Sequence, residues 1–223
     1  MPVWTLPTAT NRTVTLAEMR GAVRTRGDYE NSDVFPDTLL TEWVNDALAE
    51  VYDLLVQTWE DYYTAEAALV TTIGNAAVAL PTTFYKLLGV DWLNGGEYEA
   101  LPSHRLRERN RYGATTGRPQ SYRIQGAELR LQPVPDAVYT LRLLVIPSCP
   151  KLAAAGDLWD GVNGYEALVI EKVLLLCDAR EERPLGDRVA RIQQLEARVR
   201  SAANARDAGE PYYFGGRDED GDP

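Results

Sequence analysis

The sequence predicts an α+β protein: an antiparallel bundle of about four helices, a β-rich insert between the second and third, and an extended C-terminal tail. Three observations predict it. From Pro36 to Tyr63 apolar residues recur at three- and four-residue steps, the period of an amphipathic helix. After Tyr63 the pattern changes to short, alternating or β-branched runs separated by Gly, Asn or Pro, as strands and turns require. At Gly164 helical spacing returns and holds, with one break, to Arg206. The divisions that follow are 1–66 for the N-terminal segment and first two helices, 67–147 for the insert, 148–207 for the last two helices and 208–223 for the tail.

The first helix starts at a capping box. Thr15 and Glu18 have the spacing at which a hydroxyl and a carboxylate satisfy the first free backbone N–H groups, so a short helix is expected to about Arg24. The loop "RGDYENSD" ends it. Pro36 suits a first helical position, and Leu40, Trp43, Val44, Ala47, Leu48, Val51, Tyr52, Leu55 and Trp59 form one broad apolar face behind it. Trp43 and Trp59 are read as packing residues. Trp4, in the Pro-flanked "PVWTLP", either caps a neighbouring copy or docks on its own helices.

Seven strand-like runs follow: "AALVTTI", "AAVALP", "YKLLGVDWL", "EYEALP", "QSYRIQ", "AELRLQP" and "VYTLRLLVIP". Gly74-Asn75, Gly95-Gly96 and Gly126-Ala127 are expected hairpin turns, the double glycine most clearly, since both its central positions accept positive φ. Pro81 stops one strand, and Phe84, Leu87 and Val90 re-enter the sheet after the turn. Between strands, "SHRLRERNRYG" reads as a helical turn or loop. The third helix takes its apolar surface from Leu168, Val169, Val173, Leu174, Leu176 and Cys177. Pro184 and Gly186 break the chain, and the fourth helix carries Val189, Ile192, Leu195 and Val199 on one stripe. The short connection favours antiparallel packing of these two helices.

Composition narrows the chemistry. A hydrophobic share of 45% supports a true core, and the formal charge of −10 argues against general adhesion to DNA or an anionic membrane, which need clustered Lys and Arg. Six acids against Arg217 place half of that charge between Asp207 and the chain's last residue. Cys149 and Cys177 have neither disulfide-framework nor zinc spacing, so reduced thiols are expected. The N-terminus has no basic region followed by an apolar stretch, and no window approaches a membrane span. No phosphate-cradling Gly motif occurs, and "DEDGD" lacks the length and closing Glu of a calcium loop. No cofactor or metal is expected.

Catalytic constellations are equally sparse. The one histidine, His104, sits among Arg105, Arg107, Arg109 and Arg111, which disfavour its protonation, and no nucleophile can be identified for it. It is read as a solvated loop residue. Glu60-Asp61 and Glu97 with Glu99 are nominal carboxylate pairs for glycoside hydrolysis, but such pairs are common on helix ends and hairpins. No catalytic residue is assigned.

The arginine run "RLRERNRYGATTGRP" is the most informative cluster: Arg105, Arg107, Arg109, Arg111 and Arg118 against Glu108. Such a run can face nucleic acid, pair with an acidic neighbour, or lie solvated on a loop. The acidity of the whole chain favours a protein over nucleic acid among the first two, because protein interfaces also use the forked hydrogen bonding of Arg. The tail "PYYFGGRDEDGDP" combines Tyr212, Tyr213 and Phe214 with an acidic, Gly-hinged end. Burying three rings does not offset the entropy of ordering the whole segment, so a partner must hold it.

The succession of pieces, more than any one, carries a resemblance. "TLAEMRGAVRTRG", "FPDTLLTEWVNDALAEVYDLL", "VALPTTFYKLLGV", "GRPQSYRIQGAELRLQPVPDAVYTLRLLVIP" and the closing helix pair together resemble the head-to-tail adaptor, or head-completion and connector, proteins of tailed bacteriophages, from about Thr15 to Arg206. The resemblance implies a homo-oligomeric ring, typically dodecameric, beneath the portal protein. Such a ring extends the DNA channel without sequence-specific binding and gives the tail nozzle or tube a platform. It implies a virion protein of the head–tail interface, assembled in the host cytoplasm, with no membrane partner. The C-terminal segments of these adaptors reach into the portal, which assigns Ala208–Pro223 as a docking tail with Tyr212, Tyr213, Phe214 and Arg217 as portal-binding residues. Arg105, Arg107, Arg109, Arg111 and Arg118 are the expected contacts to a subunit or tail component. A tail-tube terminator or other connector-layer protein is the structural alternative, and a carboxylate-based cell-wall hydrolase the enzymatic one.

Overall fold

A computed structural model describes residues 13–29, 33–113, 115–159 and 164–204. The architecture is mixed α+β, with four helices and three antiparallel sheets among those residues. Helix α1 (Leu16–Gly27) opens on the expected capping box: the Glu18 N–H donates to Thr15 Oγ1 at 3.1 Å, and the Thr15 N–H to Glu18 Oε2 at 2.8 Å. It outruns the expected end by three residues and stops where Asp28 turns left-handed at φ 59°. Helix α2 (Asp37–Thr58) uses Pro36 as its cap, one position before the expected one, and passes through Trp59 into a 3-10 turn, Glu60–Tyr63.

Helices α3 (Glu166–Arg180) and α4 (Gly186–Asn204) complete one apolar core with α1 and α2. The stripe of α2 is buried much as its periodicity requires, and Trp43 and Trp59 pack, half-buried, against the same core. Two stripe residues are exposed. Leu176 is 40% exposed because α3 is apolar around much of its circumference, so periodicity alone cannot select its inner face. Val189 is 39% exposed in the first turn of α4, at the end of a stripe whose later members Ile192, Leu195 and Val199 are buried.

Seven of the strands between α2 and α3 build two sheets: β2 (Ala65–Val70), β3 (Ala77–Ala79), β4 (Phe84–Asn94), β5 (Glu97–Leu101), β6 (Ser121–Gln125), β7 (Glu128–Gln132) and β8 (Thr140–Pro147). They make a four-stranded sheet, β2-β8-β4-β5, and a three-stranded sheet, β3-β7-β6. Facing residues of the two sheets share a second core, including Val90, Trp92, Leu141 and Leu143 from one and Leu129 and Leu131 from the other. Gly95-Gly96 and Gly126-Ala127 are two-residue hairpin turns, with Asn94 opposite Glu97 and Gln125 opposite Glu128. Both Gly95 and Gly96 have positive φ, as such a turn needs. Gly74-Asn75 is not a hairpin turn. It is a crossover, since β2 pairs with β8 and β3 with β7, in different sheets.

A two-residue strand β1 (Val14–Thr15) pairs with β9 (Leu158–Trp159), tying the entry of α1 to the segment before α3. The helices join the sheets through a small third cluster: Tyr52 and Val56 of α2 meet Ile146 of β8. Tyr52 stacks on Tyr63 at 4.4 Å and donates to the Pro147 carbonyl, while Tyr85 Oη donates to Asp53 at 2.8 Å. Side chains alternate across a strand, so Ile146 and the sandwich-core residues Leu143 and Val145 face opposite ways. The layers therefore run helices, four-stranded sheet, three-stranded sheet.

Packing at the end of α1 yields a contrasting pair of predictions. A Cβ on Gly27 would lie 2.2 Å from the Tyr29 ring and 2.9 Å from Leu174, whereas one on Gly21 meets nothing within 4 Å. Gly27→Ala should cost about 1–3 kcal/mol through overpacking, and Gly21→Ala should add about 0.5–1 kcal/mol by lowering backbone entropy in the unfolded helix. Urea unfolding of both variants checks the opposite signs. A second prediction concerns alkaline pH. Burial, then the Asp178 hydrogen bond, holds the Tyr29 phenol well above its ordinary range, and burial pushes the Cys177 thiol up to about 12. Groups whose pKa rises on folding stabilise fully below the unfolded value, about 8.5 for Cys and 10 for Tyr, and lose that contribution as pH climbs toward the folded one. Stability should thus decline above about pH 8.5, and Tyr29→Phe should flatten the part of the decline above about pH 10, read as unfolding midpoint against pH.

Candidate interaction site

The arginines lie on the loop between β5 and β6, which is fastened to the three-stranded sheet at both ends. The Tyr122 N–H donates to the Pro102 carbonyl at 3.1 Å and the His104 N–H to that of Tyr122 at 2.9 Å. At the far end the Gly117 N–H donates to the Val134 carbonyl and the Gln120 N–H to that of Gln132, each at 2.8 Å. Between them Gln132 Nε2 donates to the Arg109 carbonyl, and Tyr112 Oη to Gln120 Oε1 at 2.9 Å. The loop is a stapled arch.

A 3-10 turn, Leu106–Glu108, forms its crest. Glu108 accepts the Arg105 N–H at 2.8 Å, and that bond, followed by the guanidinium groups of Arg107, Arg105 and Arg111, holds its carboxyl below the usual range. Arg105, Arg107, Arg109 and Arg111 are all exposed, as is Leu106 beside them. Arg118 is engaged elsewhere: its guanidinium sits 4.3 Å from the Trp92 ring centroid, on the four-stranded sheet. The structure thus groups four of the five arginines and sets the fifth on Trp92.

Under the arch is a concavity of about 440 Å³, lined among others by His104, Arg109, Tyr112, Arg123, Arg130 and Gln132. Arg123 on β6 and Arg130 on β7 are direct cross-strand partners. They alternate with Ile124 and Leu129, which point into the sandwich, so both arginines belong to its outer face. Arg130 pairs with Glu128 at 2.7 Å. Arg123 is half-buried, donates to the His104 carbonyl at 3.5 Å, and forms no ion pair among the described residues. Sequence reading missed both, although the two-residue turn at Gly126-Ala127 fixes their register.

His104 is not the freely solvated residue expected. It is half-buried, its Nδ1 lies 3.2 Å from Ser121 Oγ, and burial, then Arg123, lowers its pKa. The expected direction holds, but its causes are different from the neighbouring loop arginines. Ser121 itself is buried, a hydroxyl that no pattern in the chain singles out.

Of the carboxylate candidates, the Glu97–Glu99 pair is not arranged for acid–base chemistry, and the Glu60 side chain lies outside what the structure describes. Glu97 and Glu99 share strand β5, and Glu99 accepts from Asn94 Nδ2 and, at 3.2 Å, from Trp92 Nε1. The Asn94 bond is the main cause of its lowered pKa, the opposite of what a general acid needs. Among the described residues no group of three or more His, Cys, Asp or Glu could hold a metal ion, and no helix is long and apolar enough to cross a membrane. Both cysteines are free. Trp4, Tyr212, Tyr213, Phe214 and Arg217 lie outside the described residues.

The family described as SU10 adaptor protein matches residues 14–216, a span that contains all four helices and both sheets of the sandwich. Among curated proteins none matches the chain. With nearly its whole length matched, the chain belongs to the SU10 adaptor protein family, a family of phage adaptors.

Proposed function

We propose that this adaptor is a structural ring subunit of the head–tail interface in a tailed-phage virion, dodecameric like the adaptors it resembles. The family match over residues 14–216 carries the reading. The ring sits below the portal, extends the channel through which genomic DNA passes, and offers a platform to the tail nozzle or tube. An antiparallel bundle of the four helices, with residues 67–147 as an insert, forms the subunit body. Its copies assemble in the host cytoplasm.

One feature of the fold supports this division of labour. The subunit has chemically distinct ends, a helical layer on one side and an exposed arginine arch beyond the sandwich on the other. A protein that joins two different partners needs two different surfaces. Arg105, Arg107, Arg109 and Arg111 suit the subunit or tail-component contact, with Arg118 bracing the arch against Trp92. The segment 208–223 supplies the portal attachment: Tyr212, Tyr213 and Phe214 anchor it, and Arg217 adds a charged contact. Repetition around a ring multiplies weak individual attachments.

Light scattering on the purified chain, alone and mixed with portal, tests the reading. The expected result is a mass many-fold above the 24.8 kDa subunit once portal is present; a persistent monomer that ignores portal sinks the proposal. Replacing Tyr212, Tyr213 and Phe214 by Ala should weaken portal attachment about tenfold or more while leaving the urea midpoint of the folded body within about 0.5 kcal/mol. Unchanged attachment would remove the tail from the proposal and leave the adaptor assignment intact.

A further inference from the structure

The arch encloses an arrangement that costs the fold something and is not explained by packing. Like charges directly opposite on paired antiparallel strands repel, yet Arg123 and Arg130 occupy such positions on the outer face of β6 and β7. Glu128 partly relieves Arg130 at 2.7 Å. Among the described residues nothing comparable relieves Arg123, whose hydrogen bond to the His104 carbonyl is long, at 3.5 Å. A sequence that breaks a local rule without an internal compensation does so most often where it meets a ligand.

We infer that the concavity beneath the arch binds an acidic segment of a partner protein, with a carboxylate seated between Arg109, Arg123 and Arg130. The inference deepens the contact assigned above to the arginine arch and rests on that reading. Two guanidinium groups across a strand pair, with a third on the rim, present forked donors that match carboxylate geometry. Arg105, Arg107 and Arg111 on the crest extend the positive field outward, with Glu108 the one acid among them. The lining is also partly apolar: Leu106 and Val134 border the same space. A peptide carrying Asp or Glu beside an aliphatic residue uses both kinds of surface, whereas a nucleic-acid backbone uses the charge alone. At about 440 Å³ the space admits a few side chains and excludes a duplex. The net charge of −10 further opposes a polyanion as long as nucleic acid.

Fluorescence anisotropy on the full chain tests this, with a labelled peptide of alternating Glu and Leu and a labelled 20-nucleotide oligothymidylate as probes. The expected result is saturable peptide binding that weakens with salt, falls at least tenfold in Arg123→Gln and Arg130→Gln, and is unchanged in Arg200→Gln on α4. Arg123→Gln should also keep or raise the melting temperature, because it removes a repulsion; a merely structural arginine would lower it. No peptide binding at low salt, tighter binding of the oligonucleotide, or a fall in melting temperature with binding intact each overturns the inference. Peptide binding to the isolated chain needs neither ring nor portal, so this result and the portal assay can fail independently.

Discussion

The carboxylate of Asp178 is the constraint on which the helical layer depends. It is 5% exposed, accepts the Tyr29 hydroxyl at 2.8 Å, and pairs with Arg188 Nε. Arg188 reaches on to Glu171 at 2.7 Å, and Arg183 lies 4.8 Å over the Tyr29 ring while donating to the Gly27 carbonyl. One acid thereby fixes the exit of α1, the last turn of α3 and the start of α4 relative to one another. Apolar stripes alone would hold these helices together without fixing their rotation, since aliphatic contacts are non-directional. A buried ion pair adds little net stability over an apolar substitute, but removing one partner costs roughly 3–5 kcal/mol and selects against any packing that separates them.

The orientation set there is passed outward through α2. Tyr52 and Val56 carry the contact to β8, and the four-stranded sheet has its own register lock on the face they touch. Arg142 pairs with Asp91 across β8 and β4 at 2.7 Å, reaches Glu66 of β2 at 3.3 Å, and stacks 3.9 Å over Tyr98 of β5. One side chain thus spans all four strands. A slip of one residue would turn Arg142 and Asp91 into the sandwich core, which is why the register is not free to drift. The helical layer and the four-stranded sheet are thus aligned by directional contacts, while the three-stranded sheet adds its side of the apolar sandwich core.

Much of this was legible in the sequence, for reasons that differ by element. All seven strands of the insert and the two tight hairpins follow from period-two alternation and glycine turns, both local signals. The crossover at Gly74-Asn75 was not, because β2 finds its partner β8 some seventy residues later and no local pattern encodes that choice. The pairing of β1 with β9 was hidden similarly: two residues give no periodicity. For the site, alternation placed the arch and its exposed arginines, while Arg123 and Arg130 looked like ordinary outward-facing strand residues. Counting back from the turn at Gly126-Ala127 puts them opposite one another, and the repulsion so created was the available signal.

That repulsion also explains why the arch must be stapled at both ends. Arg123 keeps its position because β6 is held on one side by β7 and on the other by the Ser103–Tyr122 bridge and the His104 amide, so the strand cannot splay to separate the charges. His104 contributes by staying neutral: burial and the nearby Arg123 lower its pKa, which keeps a further positive charge out of the concavity near pH 7. The Ser121 hydroxyl at 3.2 Å orients the ring in that state. The fold thus holds guanidinium donors in place before any partner arrives, and a preorganised site loses less entropy on binding than a loop that must be ordered by its ligand. For the contact proposed at the arch, the rigidity comes from backbone hydrogen bonds more than from the arginines themselves.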